Sequence, residues 1–163
     1  MRAARRGSSD AVAELFERHW DACYRAAYWI VHDSAAAEDI AQEAFLAAIG
    51  ALDRFDQARS FAPWLHRVVV NRAIDFARTR AARREVGVEG LANRAAPDVE
   101  PADPALLAAL AGLPPDHRAV VVLRHVIGCT PGQIAKLLDL PRGTVNSRLR
   151  RGLDALAEVL DDR

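Results

Sequence analysis

Four arginines, Arg142, Arg148, Arg150 and Arg151, fall within residues 142–151, a stretch with no acid. Thr144, Asn146 and Ser147 lie among them. A guanidinium can grip phosphate or pair with a guanine edge, an amide can pair with adenine, and hydroxyls can bond either. A second basic group, Arg59, Arg72, Arg78, Arg80, Arg83 and Arg84, is interleaved with Phe61, Trp64 and His66. Between residues 72 and 84 it meets one acid, Asp75. Rings and cations in alternation suit an unpaired strand, whose bases stack while its phosphates pair. The rings Phe61, Trp64 and Phe76 also read as core, and for Trp64 and Phe76 that reading weighs at least as much.

Residues suited to turnover do not converge. His19, His32, His66, His117 and His125 are dispersed, and Cys23 and Cys129 stand far apart without a CxxC. There is no glycine-rich phosphate loop and no nucleophile elbow. The expectation is therefore a binding protein and not an enzyme, with no catalytic residue, metal site, cofactor or small-molecule substrate. The sparse cysteines fit the cytosol, giving a cytoplasmic expectation. No apolar run approaches the ~20 residues of a membrane span, so no direct membrane insertion is expected. Met1 to Ser9 is basic but leads into an amphipathic helix and not a signal-peptide core.

Across the chain 22 basic side chains balance 22 acidic ones. The zero total hides a segregation into two basic patches and an acidic middle, where Glu89, Asp98, Glu100 and Asp103 face only Arg94.

These groups need helices to position them. Alanine and leucine dominate, and aromatics are only 6%, which favours helix over strand. Ser9 or Asp10 can cap a first helix, with Leu15, Phe16, Trp20, Cys23, Tyr24 and Ala27 at helical spacing. His32-Asp33-Ser34 reads as a break and a new cap. The second helix carries Ile40, Ala44, Phe45, Ala48, Ile49 and Leu52 on one side. On its other side Asp39, Gln42 and Glu43 share a face. Ser60 can cap a third helix that tolerates Pro63 in its first turn.

Residues 86–104 lose periodicity and read as a flexible acidic, proline-rich linker. Leu113-Pro114-Pro115 then separates two short helices. Thr130-Pro131-Gly132-Gln133 has capping-box spacing, Asp139 to Gly143 makes a turn, and a longer helix follows with Val145, Leu149, Leu153, Leu156 and Leu160 on its apolar side. Short helix, turn and longer helix form a helix-turn-helix pattern, whose second helix fits the major groove. The expected fold is all-α: two small helical domains, 1–85 and 105–163, joined by a flexible linker over 86–104, the C-terminal one a helix-turn-helix.

Residues 33–45 (Asp-Ser-Ala-Ala-Ala-Glu-Asp-Ile-Ala-Gln-Glu-Ala-Phe), 51–56 and 59–65, with Asn71-Arg72-Ala73-Ile74-Asp75, resemble the promoter-melting domain of bacterial RNA polymerase sigma factors of the extracytoplasmic-function type. Residues 113–124 and 143–152 resemble that group's C-terminal domain. The resemblance implies that Asp39, Gln42 and Glu43 dock on the clamp coiled coil of core RNA polymerase. It implies that Arg59, Phe61, Trp64, Asn71, Arg72, Asp75, Arg78 and Arg80 recognise the minus-ten element and hold its melted strand. It implies that Arg142, Thr144, Asn146, Ser147, Arg148, Arg150 and Arg151 read the minus-thirty-five element as duplex. Promoter DNA, the polymerase clamp and flap, and an anti-sigma factor are the implied partners.

There are departures: relatives often carry Lys at Asn146, an aromatic at Pro131 and Ala at Gly152, so the upstream sequence preference does not transfer. The acidic linker is open to two readings, mimicry of nucleic acid or plain disorder. A stand-alone duplex-binding regulator and a sigma-like protein that no longer initiates are the competing functions.

Overall fold

The first long helix forms where a hydroxyl cap precedes an uninterrupted apolar stripe. The computed structural model describes residues 2–56, 60–85 and 103–161; Arg59 and residues 86–102 of the expected linker lie outside these. A single-turn α1 (Arg2–Arg5) leads through Gly7, at φ +81°, into α2 (Ser9–Val31). The cap of α2 is Ser8, one residue ahead of the expected Ser9 or Asp10: its hydroxyl accepts the Ala11 N–H at 3.4 Å. The helix ends because His32 turns left-handed, at φ 54°, and donates its N–H to the Tyr28 carbonyl at 2.7 Å.

Asp33 then caps α3 (Ser34–Gly50), its carboxylate accepting the Ala36 N–H at 3.1 Å, as the break at 32–34 predicts. On α3 the buried residues Ala37, Ala41, Ala44 and Ala48 are small, which lets neighbouring helices approach closely, while Ile40 and Phe45 fill the remaining space. A 3-10 turn (Leu52–Arg54) and Phe55 close the second corner. The third, α4 (Phe61–Glu85), runs back along both earlier helices and buries Leu65, Val69, Val70, Ala73, Ile74 and Ala77.

The second unit starts where the Asp103 carboxylate accepts the Ala105 N–H at 2.8 Å. Pro104, read in the sequence as the last connecting residue, is the first residue of α5 (Pro104–Gly112). The prolines at 114 and 115 stop α5 and start α6 (Pro115–His125). α7 (Pro131–Leu138) carries the full capping box, Thr130 to Gln133, that its sequence predicts. Asp139, left-handed at φ 55°, turns the chain into α8 (Arg142–Asp161). α7, this turn and α8 form the helix-turn-helix.

The regular elements among the described residues are eight α-helices and one 3-10 turn, the all-α architecture expected. The sequence left open whether the units touch. They do: α6 packs on α2 and α4, and α7 packs on α4. Residues Arg118 to Leu123 of α6 are all buried. Ala119, Val120, Val122, Leu123, Ile134 and Val145 join the apolar core of the N-terminal unit. A smaller core of Ala109, Leu110, Leu113, Val121 and Leu156 lies within the C-terminal unit.

Candidate nucleic-acid interface

The residues expected on duplex DNA stand on the first turns of α8, and burial of Val145 orients them. With Val145 fully buried and Leu149 half-buried, Arg142, Asn146, Arg150 and Arg151 face solvent, and Thr144, Ser147 and Arg148 are half-buried beside them. Arg142, Arg150 and Arg151 form no ion pair with a described residue. Further along, the expected apolar side fails at two positions, since Leu153 is 41% exposed and Leu160 37%. Steps of four residues precess around a helix of 3.6 residues per turn, so the stripe passes to Gly152 and Leu156.

Beside α8 lies a cleft of about 480 Å³ lined by Pro114, Asp116, His117, Gly143, Thr144, Ser147, Arg148 and Arg151. Four of the expected duplex-reading residues therefore share one cavity. Asp116, which the sequence reading did not single out, sits in it with its carboxylate 3.7 Å from the Arg148 guanidinium.

On the N-terminal unit the arginines of α4 are engaged with acids. Arg72 donates to Glu43 at 2.8 Å, Arg78 to Asp75 at 3.3 Å, and Arg80 lies 3.6 Å from Asp33. Arg78 also reaches across to Asp116 at 2.6 Å. Asn71 and Asp75 are exposed. Phe61 is 8% exposed, its ring centred 5.9 Å from Phe55 and 5.7 Å from Trp64. Phe61 thus belongs to a ring cluster that backs Trp64, and it is the half-buried Trp64 that has a face left to offer. Phe76, left open in the sequence between core and base contact, is 38% exposed. Arg59 and the side chain of Arg84 lie outside the described residues.

Asp39, Gln42 and Glu43 are all exposed on α3, as their spacing requires. Leu46, one turn further on the same face, is 70% exposed and was not foreseen. A cleft of about 590 Å³ is lined by Asp33, Asp39 and Glu43 of this side and by Arg72, Asp75 and Phe76 of α4. The face expected to dock polymerase and the face expected to hold melted DNA therefore meet across the Glu43–Arg72 pair.

Burial sets the remaining protonation chemistry. It lowers the His66 pKa, with nearby His19 adding to the effect; His19 is lowered by burial and by Arg18. Burial raises the Cys23 thiol to about 12 and raises Cys129 as well, so neither is primed as a thiolate. No group of three or more His, Cys, Asp or Glu able to hold a metal occurs among the described residues. No described helix is long and apolar enough to cross a membrane.

Residues 15–83 match the Sigma-70 region 2 family and residues 104–156 the Sigma-70 region 4 family. The ECF RNA polymerase sigma factor SigW of Bacillus subtilis (strain 168) is 32% identical over 178 residues, covering 99% of this chain and 95% of that one. The structure of CnrH in complex with the cytosolic domain of CnrY is similar at a TM-score of 0.73 and 29% identity, over 99% of this chain and 94% of that one. The sigma factor RpoE in complex with the anti-sigma factor NepR, from Bartonella quintana, shares the fold at a TM-score of 0.72 and 23% identity, over 93% of this chain and 98% of that one. With two helical units in this order and a basic helix-turn-helix in the second, the chain belongs to the extracytoplasmic-function RNA polymerase sigma factors, DNA-binding proteins of promoter-specific transcription initiation.

Proposed function

We propose that this sigma factor divides promoter recognition between its two units. The C-terminal unit, 105–163, reads the minus-thirty-five element as duplex through Arg142, Thr144, Asn146, Ser147, Arg148, Arg150 and Arg151. The N-terminal unit, 1–85, holds the minus-ten element as melted strand through Arg59, Trp64, Asn71, Arg72, Asp75, Arg78 and Arg80, with Phe61 supporting Trp64. Residues 86–102 serve as the tether to the unit that α5 opens. The face of Asp39, Gln42 and Glu43, with Leu46 beside it, docks on the clamp coiled coil of core polymerase, and the C-terminal unit meets the flap. The chemistry of RNA synthesis stays with polymerase in the cytoplasm, and this chain supplies selectivity.

The observation that carries the reading is the start of α8, where Arg142, Asn146, Arg150 and Arg151 are solvent-facing at the head of a helix-turn-helix. A helix of this kind enters the major groove, where each good base contact is worth roughly 1–3 kcal/mol. Neither unit needs to bind tightly alone, because polymerase makes the second contact effectively intramolecular. The similar structures that hold CnrY and NepR support an anti-sigma factor as a further partner.

Run-off transcription with core polymerase on promoters of the source genome tests the reading. Specific initiation is expected, lost in Asp39→Arg/Glu43→Arg together with capture of core polymerase. Initiation by that double variant at the wild-type rate would reject the docking face. Strong, specific duplex binding by the chain without polymerase would favour a stand-alone regulator instead.

A further inference from the structure

We propose that Asp116 is a latch that holds the two units closed in the free chain by occupying arginines meant for DNA. The inference rests on the reading above, in which Arg78 and Arg148 are DNA ligands. Asp116 lies at the start of α6, and one of its oxygens accepts from Arg78 of the N-terminal unit at 2.6 Å. Its other oxygen lies 3.7 Å from Arg148 on the duplex-reading helix. One carboxylate thus bridges a residue assigned to the melted strand and a residue assigned to the duplex. A carboxylate that accepts from one guanidinium and stands at ion-pair distance from a second occupies them as a DNA phosphate would.

The geometry around it fixes this position. Two residues along α6, the buried Arg118 donates across the seam to the Ile30 carbonyl at 2.8 Å, and within its own unit to Ala111 and Leu113 at 2.9 and 3.0 Å. The end of α2 and the start of α6 are therefore pinned in register, which sets the start of α6, with Asp116, against the N-terminal unit. Asp116 also lines the cleft that holds Thr144, Ser147, Arg148 and Arg151. A phosphate entering that cleft meets the Asp116 carboxylate, and drawing Arg148 onto DNA removes one of the two cations that neutralise it. Duplex binding and closure then compete for the same groups. A closed free chain would leave Arg78 and Arg148 engaged by Asp116, and opening on polymerase would release both.

The test is an interdomain distance, measured between spin labels at Glu17→Cys on α2 and Glu158→Cys on α8. Both sites are exposed; the background is Cys129→Ser, and Cys23 is fully buried. The full chain should give one short distance. Asp116→Arg places like charges on Arg78 and Arg148 and should add a long-distance population. Arg78→Asp in the Asp116→Arg background should restore the short one, which a merely structural loss at position 116 would not allow. Wild-type distances in Asp116→Arg would overturn the latch, leaving closure to the apolar seam and the Arg118 bond across it.

The second measurement is the affinity of the free chain for a short mixed-sequence duplex at low salt. Asp116→Asn should bind about threefold more tightly, the scale of one or two partly exposed ion pairs. Asp154→Asn, which removes one negative charge from an exposed site on α8, supplies the baseline for charge alone. A gain at position 116 no larger than at 154 would overturn the competition with DNA. If Asp116→Arg still opens the chain in that case, the assignment of Arg148 to duplex DNA falls while the mechanical latch stands.

Discussion

The two arginine-bearing surfaces are built on opposite principles. On α8, Arg142, Arg150 and Arg151 project with no carboxylate of the described chain upon them, and only Arg148 lies near one, Asp116 at 3.7 Å. On α4, Arg72, Arg78 and Arg80 each lie against an acid, at 2.8, 3.3 and 3.6 Å. The duplex is a regular object with phosphates in known places, so a preformed, unpaired surface can meet it directly. A melted strand exists only after polymerase has opened it, and arginines left unpaired until then would invite binding to any nucleic acid. Where α4 holds the melted strand as proposed, pairing its arginines with Asp33, Glu43 and Asp75 would make binding an exchange of carboxylate for phosphate. Glu43 adds a link, because the acid that holds Arg72 also belongs to the face proposed to dock polymerase.

The largest effect expected from breaking this arrangement lies between the two surfaces. Arg118→Met removes a buried guanidinium that serves three backbone carbonyls, one of them in the other unit. Hydrogen bonds from a charged donor are worth roughly 1.5–3 kcal/mol each and are not additive, so a loss of about 3 kcal/mol is expected. Urea denaturation followed by tryptophan fluorescence measures it. A loss below about 1 kcal/mol would mean the carbonyls find water and that the seam does not depend on this side chain.

A second comparison sets one arginine from each surface side by side. Arg151→Ala should weaken promoter binding by the holoenzyme and reduce the dependence of log K on log salt by about 0.9, the value for one lost phosphate contact. Arg80→Ala should reduce that slope by less than half as much, because its side chain, 12% exposed beside Asp33, gives up an acid to take a phosphate. Equal slopes for the two variants would erase the distinction between a preformed and an exchanging surface.

What was legible in the sequence was what is local. The capping box at Thr130 and Gln133, the break at 32–34, the Pro114-Pro115 boundary and the shared face of Asp39, Gln42 and Glu43 depend on residues within one turn of each other, and each stands where spacing put it. The misses depend on what lies opposite. Leu153 was placed inside by counting fours, yet it is the small Gly152 that lets α6 and α8 approach. Phe61 and Phe76 were both ambiguous; the ring cluster with Phe55 takes the first and nothing comparable covers the second. Asp116 and Arg118 fell within the recognised stretch 113–124 but showed no role of their own, because an acid and a base two residues apart at a helix start look like ordinary surface until another unit packs over them.

Gly152 gives a smaller, more local prediction within the C-terminal unit. A Cβ at this position would lie 2.7 Å from a methyl of Val121 and 3.6 Å from the His117 carbonyl. Alanine would gain about 1 kcal/mol in helix propensity, but overpacking a filled contact costs typically 1–3 kcal/mol. Gly152→Ala should therefore be destabilising by about 1 kcal/mol, and the double variant Gly152→Ala/Val121→Ala should recover part of the overpacking cost. A stabilised single variant would show that Val121 swings aside freely.

The smallest effect is a pH dependence confined to the N-terminal unit. Burial and His19 lower the His66 pKa below its ordinary 6.5, and Nε2 of His66 is buried without a hydrogen-bond partner among the described residues. The folded chain therefore resists a proton that the unfolded chain accepts. Below about pH 6.5 the unfolded state holds more protons at this site, so stability falls as pH drops through that value and stops falling below the folded-state pKa. His19, lowered by burial and Arg18, acts in the same direction. Thermal unfolding at pH 7.5 and 5.5 should show a loss of Tm on acidification that is smaller in His66→Leu, which has no proton to take up. The Asp116→Asn variant should keep the wild-type difference, since it leaves the His19–His66 pair untouched; an equal loss of Tm in His66→Leu and wild type would move the acid sensitivity away from this pair and onto the carboxylates that hold the arginines.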